Sequence, residues 1–179
     1  ISTSAFNIIG TLTILCEQTD SIVIGAYSPG LCDQLVSVLK QTGMKHALSP
    51  YGMDKTHDSQ KGMDEFSPCG PTRVTELKNN KINTYQVTPK DFGIKTVTLD
   101  KISSRDSAEE NAKAIKEVLS GKHDCPEADF FCMNAGAALY ISGKAESYKH
   151  GTEQAKQGLA NGSAFEKLEG LLQFQGKNK

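Results

Sequence analysis

Asp64 and Glu65 are the residues of this chain best placed to do chemistry. They stand side by side in Gly62-Met63-Asp64-Glu65, and Phe66-Ser67-Pro68-Cys69-Gly70-Pro71-Thr72 follows at once. Two adjacent carboxylates on a loop form a ligand set for a hard divalent cation such as Mg²⁺, which takes oxygen donors and often shares them with substrate phosphates. An isolated Asp-Glu pair is more often solvated surface charge. The flanking residues argue for the metal here: Pro68 and Pro71 restrict the backbone, while Gly62 and Gly70 permit tight turns. A stiff acidic loop between an α/β unit and a hairpin could present oxygens at one end of a sheet, where α/β proteins bind ligands.

The other reactive residue types are weaker candidates. His46, His57, His123 and His150 are scattered, without metal-ligand spacing, and read as structural or solvated. Five cysteines, Cys16, Cys32, Cys69, Cys125 and Cys132, form no CxxC and are odd in number. They fit a reducing compartment better than a disulfide framework or a zinc site. Cys69 draws notice only because it lies near the acid pair. Gly136, among Ala135, Ala137 and Ala138, suits close helix packing rather than phosphate binding. Ser28-Pro29-Gly30 reads as a plain helix cap.

The elements that must position the acid pair are legible from periodicity. Ser21 to Tyr27 is a continuous apolar run rich in β-branched residues, the pattern of a buried, parallel strand. Ser28 caps a helix with Pro29 in its first position, apolar Leu31, Leu35, Val38 and Leu39 recurring, and Gly43 closing it. Lys45-His46-Ala47-Leu48 begins a second strand, completing a βαβ unit. Residues 52–62 read as a polar surface loop. Thr72 to Leu77 and Ile82 to Val87 alternate around a turn at Asn79-Asn80-Lys81, a β-hairpin. Thr88 to Gly93 makes a turn or a single helical turn.

Helices are expected from Ser107 to Gly121, with Ala112, Ile115, Val118 and Leu119 on one side, and from Ala128 to Ile141, apolar almost all round. Two more run from Ala145 to Leu159 and from a Ser163 cap through Phe165, Leu168, Leu171 and Leu172, with a frayed tail from Gln175. A short helix is expected at Ser4 to Gly10. The fold class is α/β: a partial, mostly parallel sheet with a β-hairpin and C-terminal helices, forming a single region over residues 1–179.

The bulk properties exclude several classes. The 179 residues are 37% hydrophobic and 23% charged, which suits one globular domain with a real core. A net charge of −1 without a basic block argues against nucleic acid as a main partner. No apolar run approaches the roughly 18–20 residues of a membrane span. The opening Ile1 to Asn7 lacks the charged, then apolar, pattern of a signal peptide, and the cysteine usage makes a cytoplasmic location the expectation.

The acid-pair segment and Asn134-Ala135-Gly136-Ala137-Ala138-Leu139-Tyr140 resemble the C-terminal half of the anthranilate phosphoribosyltransferase family, enzymes of tryptophan biosynthesis. The resemblance runs along nearly the whole chain. It takes in Ala5 to Gly10, Gly25-Ala26-Tyr27-Ser28-Pro29, Thr88 to Gly93 and Asn161-Gly162-Ser163-Ala164. It implies transfer of the phosphoribosyl group of phosphoribosyl pyrophosphate (PRPP) to the amine of anthranilate, releasing pyrophosphate. It also implies the larger domain of a nucleoside phosphorylase-like architecture. Asp64 and Glu65 match the family's acid pair, which would hold Mg²⁺ against the pyrophosphate; no side chain of this chain is implied as a catalytic acid or base.

The family's Gly-Thr-Gly-Gly-Asp pyrophosphate loop and the Lys-containing segment after it have no match here. The expectation is therefore a fragment inactive by itself, whose partner is the missing N-terminal half or a homodimer mate. An anthranilate-contacting Arg is also missing around Ser2, Thr3 and Ser4. The family's Gly-Pro-Leu-Thr-Asn-Pro loop reads Gly10-Thr11-Leu12-Thr13-Ile14-Leu15. These departures favour an alternative, a non-catalytic binding or interaction module of the same fold. A pyrimidine nucleoside phosphorylase of similar architecture is a third possibility, against which the tryptophan-pathway motifs weigh.

Overall fold

A computed structural model describes residues 19–54, 62–121 and 124–177. The expected helix at Ser4 to Gly10, the altered loop from Gly10 to Leu15, Cys16, His57, His123 and the last two residues lie outside these.

Among the described residues four strands form one sheet in the order β1-β2-β3-β4: β1 (Ser21–Val23), β2 (His46–Gly52), β3 (Thr72–Lys78) and β4 (Lys81–Val87). Between the first two runs α1 (Pro29–Gln41), so the βαβ unit is present and β1 pairs parallel with β2, Ile22 opposite Ala47. The remaining pairings, β2 with β3 and β3 with β4, are antiparallel. The α/β class stands, but within the described residues the sheet is mixed where a mostly parallel one was expected. The reason is local: the hairpin is not an appendage but supplies half of the sheet's strands. Its turn needs left-handed backbone at both central residues, and Asn79 (φ 51°) and Asn80 (φ 59°) provide it.

Helices cover both faces. On one face Ala47 and Leu77 of the sheet pack against Cys32, Leu35, Val36 and Leu39 of α1. Val38, expected on this apolar side, is 40% exposed, and Val36 takes its place. The helix is capped as expected: the Ser28 side chain accepts from Leu31 N–H, and Gly43 (φ 89°) follows the end. On the other face Leu48 and Val74 pack against α3 (Pro126–Ile141) through Met133, Ala137 and Ile141, with Phe66 and Phe92 between. Burial on both sides explains why β3 is almost continuously buried rather than alternating.

The helical part departs further from its periodicity. Along α2 (Ala108–Ser120), capped by Ser107, only Val118 is fully buried; Ile115 is 42% exposed. The α3 helix is not buried all round: Ala135 and Ala138 are exposed. The helix α4 (Tyr148–Ala160) begins at a Ser147 cap, later than the expected Ala145. In α5 (Ser163–Lys177), Ser163 is the first helical residue rather than the cap, and the helix continues past Gln175 instead of fraying there. The close packing expected of Gly136 is realised: a Cβ there would sit 2.5 Å from Thr152 N, so α3 and α4 touch backbone to backbone.

Candidate metal-binding loop

The chain leaves β2 at Gly52 and returns to the sheet at Thr72, and the acid pair lies on the way. Met63 pairs with Gly52 in an isolated antiparallel bridge, each donating its N–H to the other's carbonyl at 2.8 Å. Next along, the Asp64 backbone lies directly against Gly25, where any Cβ would collide with the Asp64 carbonyl. The Glu65 carbonyl in the same way crowds Gly52. Two glycines at the carboxyl-terminal ends of β1 and β2 thus make room for the backbone of the acid pair. In α/β sheets this is the end where ligands gather.

The far side of the loop is fixed as firmly. Phe66 is fully buried, its ring 5.2 Å from that of Phe92 and 5.5 Å from that of Tyr148. Its backbone is gripped by the Asn134 side chain on α3. Phe66 N–H donates to Asn134 Oδ1 at 3.0 Å, and Asn134 Nδ2 donates to Phe66 O at 3.2 Å and to Phe130 O at 3.1 Å. Ser67 N–H donates to Thr72 Oγ1, and Ser67 Oγ donates to Met53 O. Val97 N–H donates to Pro68 O, and Met53 N–H to Pro71 O. The stiffness read from the prolines is real, but hydrogen bonds and glycine contacts supply much of it.

Asp64 and Glu65 are both exposed at the surface of this clamped loop. The packed residues beneath Glu65 strip enough water from its carboxyl to raise its pKa above the ordinary range, and the Asp64 charge adds to the rise. A cation would relieve both effects. Among the described residues no group of three or more His, Cys, Asp or Glu gathers to hold a metal. The described residues therefore offer a pair of carboxylates and no cage. That donor set fits Mg²⁺, which keeps several waters and binds through one or two carboxylates plus substrate phosphates.

The other candidates resolve as structural. Cys69 is fully buried, and desolvation, with the Asp54 charge, pushes its thiol up to about 11, so it is not a nucleophile at neutral pH. Cys32, Cys69 and Cys132 are free thiols. His46 Nε2 lies 2.7 Å from Glu76 Oε1, and His150 accepts from Glu146 N–H at a helix start.

Sequence reasoning missed the cluster around Glu76. Tyr85 and Tyr140 both donate to its carboxylate, Tyr148 Oη lies 2.6 Å from Tyr85 Oη, and Lys78 Nζ donates to Tyr140 Oη. No spacing in the sequence announces it, because its members come from β2, β3, β4, α3 and α4.

Comparison with known proteins places these features in a family setting. The family model described as "Glycosyl transferase family, a/b domain" matches residues 1–165. The anthranilate phosphoribosyltransferase of Nitrosomonas europaea is 34% identical over 171 residues, which is 96% of this chain and 47% of that protein. That of Polynucleobacter necessarius is 39% identical over 164 residues, 92% of this chain and 45% of its own. Among solved structures, anthranilate phosphoribosyltransferase from Saccharomyces cerevisiae in complex with PRPP and Mg matches with a TM-score of 0.76 at 26% identity. The match covers 93% of this chain and 46% of the yeast chain. The Thermus thermophilus enzyme matches with a TM-score of 0.66 at 29% identity, over 80% of this chain and 39% of that one. The chain spans about half the length of the curated relatives it matches.

Proposed function

This chain belongs to the glycosyl transferase family, a/b domain, and on that premise we propose that it carries the cation-holding arm of a site for phosphoribosyl transfer from PRPP to anthranilate. The relatives named above are anthranilate phosphoribosyltransferases, and one was solved with PRPP and Mg. The observation that carries the reading is the clamped acid pair at the carboxyl-terminal ends of β1 and β2.

In this reading Asp64 and Glu65 hold Mg²⁺ through their carboxylate oxygens. Bound there, the ion supplies positive charge where negative charge develops on the departing pyrophosphate. The chain's own residues do the positioning: Gly25 and Gly52 let the loop backbone settle onto the sheet end, and Phe66 anchors it in the core. No described side chain is assigned as acid or base. An amine displacing a good leaving group needs orientation and shelter for the cationic ribosyl centre more than proton transfer.

Residues 1–179 act here as a single α/β region, inactive alone, with a site completed by a partner that supplies the other half of the relatives' length or by a homodimer mate. The free thiols fit a reducing, cytoplasmic setting. The test follows anthranilate fluorescence with Mg²⁺ and PRPP, using the chain alone and then mixed with a separately expressed N-terminal half of a related enzyme. Turnover in the mixture, lost on Asp64→Asn with Glu65→Gln, is the expected result. Turnover by the chain alone would overturn its inactivity. No turnover in either, from a folded chain, would favour the second reading, a non-catalytic module. That reading rests on the prolines and Asn missing from Gly10 to Leu15.

A further inference from the structure

Asn134 sits on α3, one helix away from the acid pair, and touches neither carboxylate in its hydrogen bonds. Its carboxamide instead closes a two-bond ring on one residue, Phe66. It accepts from the Phe66 N–H and donates to the Phe66 carbonyl, as a neighbouring strand would. Phe66 follows Glu65 directly in sequence, so the bond that fixes its N–H also fixes the peptide plane joining it to Glu65. The remaining amide hydrogen goes to Phe130 O on the preceding turn of α3, which holds the Asn134 side chain in one rotamer.

Nothing else among the described hydrogen bonds ties the loop to α3. The bridge between Met63 and Gly52 holds the upstream side against β2. Without Asn134, the downstream side would keep the buried Phe66 ring and the Ser67 bonds to Thr72 and Met53 but lose the backbone lock beside Glu65. A buried ring resists removal from the core yet permits rotation of its own backbone. A pair of hydrogen bonds to the two peptide units that flank its Cα does not.

We propose that Asn134 is a positioning residue for the acid pair, setting through the Phe66 backbone the direction in which Asp64 and Glu65 present their oxygens to a divalent cation. The inference rests on the reading of Asp64 and Glu65 as a cation site. Residues that orient metal ligands from behind tune the site, and their loss weakens binding about 10–100-fold.

The test titrates the full chain with Mn²⁺, an oxygen-seeking stand-in for Mg²⁺. Free ion is read by electron paramagnetic resonance, and each variant is melted in parallel. Wild type is compared with Asn134→Ala, with Asp64→Asn/Glu65→Gln, and with Thr152→Val. The last removes the Thr152 hydroxyl's bond to Tyr148 O inside α4 and reports loss of stability alone.

The expected result is binding by wild type and Thr152→Val, loss in the double variant, and a roughly tenfold weakening in Asn134→Ala. Wild-type affinity in Asn134→Ala, with the double variant dead, would overturn the positioning role and leave the acid-pair reading standing. Unchanged binding in the double variant, or none by wild type, would overturn the acid-pair reading and the proposal with it. Should Asn134→Ala fail to melt cooperatively, Asn134→Gln replaces it with the same outcomes, because it keeps the amide but displaces it by one methylene.

Discussion

Two glutamates in this chain are perturbed in opposite directions, and each shift has a stability consequence. Glu65 has a raised pKa from desolvation and from the Asp64 charge. Its ionised form is disfavoured by folding, so its favourable share of stability is present at low pH and is lost as pH rises through its folded pKa. Glu65→Gln should therefore raise Tm at neutral pH in metal-free buffer, and the gain should vanish below the ordinary carboxylate range, about pH 4. Glu76 behaves the other way. Burial alone would raise its pKa, but hydrogen bonds from His46, Tyr85 and Tyr140 outweigh that and hold it low. Its contribution is present at neutral pH and is lost as pH falls through the folded pKa. Glu76→Gln should lower Tm at pH 7 and converge with wild type in acid. Thermal melts of both variants between pH 3 and pH 7, sampled at about half-unit steps, check the pair of signs. The thiols give a third residue-level check. Burial pushes Cys69 and Cys132 up to about 11. In the folded chain both should react with a thiol reagent far more slowly than the half-buried Cys125, as mass spectrometry of labelled peptides would read.

At the level of elements, the tightest contact lies between α3 and α4, where Gly136 and Gly151 face one another without side chains. Gly136→Ala places a methyl against the Thr152 backbone and should cost about 1–3 kcal/mol, the usual range for overpacking a dense interface. Chemical denaturation measures it. Unchanged stability would mean that the helices slide apart without loss. The same helix carries Asn134 a little over half a turn earlier, so its placement matters to the acid-pair loop as well as to the core. The α1 helix is tied to β3 by Arg73, whose guanidinium donates to both Asp33 carboxylate oxygens at 3.0 Å. Asp33 also accepts from Thr75 Oγ1. That cluster holds the βαβ crossover against the hairpin and leaves the sheet end free for the acid pair.

Across the whole molecule, apolar surface is unevenly covered. Leu171, Leu172 and Phe174 of α5 are 53%, 52% and 67% exposed. Beside α5 a cavity of about 570 Å³ opens among the helices, walled by Leu119, Phe131, Leu139 and Leu159, with Lys144 and Lys167 at its lining. Exposed apolar surface of this kind promotes association. Sedimentation of the isolated chain should show self-association rising with concentration, and Leu171→Glu with Phe174→Glu should shift it towards monomer. A monodisperse monomer at all concentrations would remove the expectation. Among the described residues no helix is long and apolar enough to cross a membrane.

Much of this protein could be read before any coordinates. The βαβ unit, the Asn79-Asn80 hairpin, the Ser28 and Ser107 caps and the small-residue packing at Gly136 are written in local patterns, because caps, turns and periodicity depend on neighbours a few residues apart. The acid pair stood out for the same reason, as adjacent carboxylates between residues that stiffen a loop. What the sequence could not decide depended on partners far along the chain. Val38 and Ile115 share the spacing of buried residues but face solvent, since periodicity marks a face without saying what covers it. The hairpin's full share in the sheet required the β2–β3 pairing. The Glu76 cluster and the grip of Asn134 on Phe66, 68 positions apart, exist only once β-strands and helices have packed. Local chemistry named the carboxylates; tertiary hydrogen bonds and glycine contacts fixed where they stand.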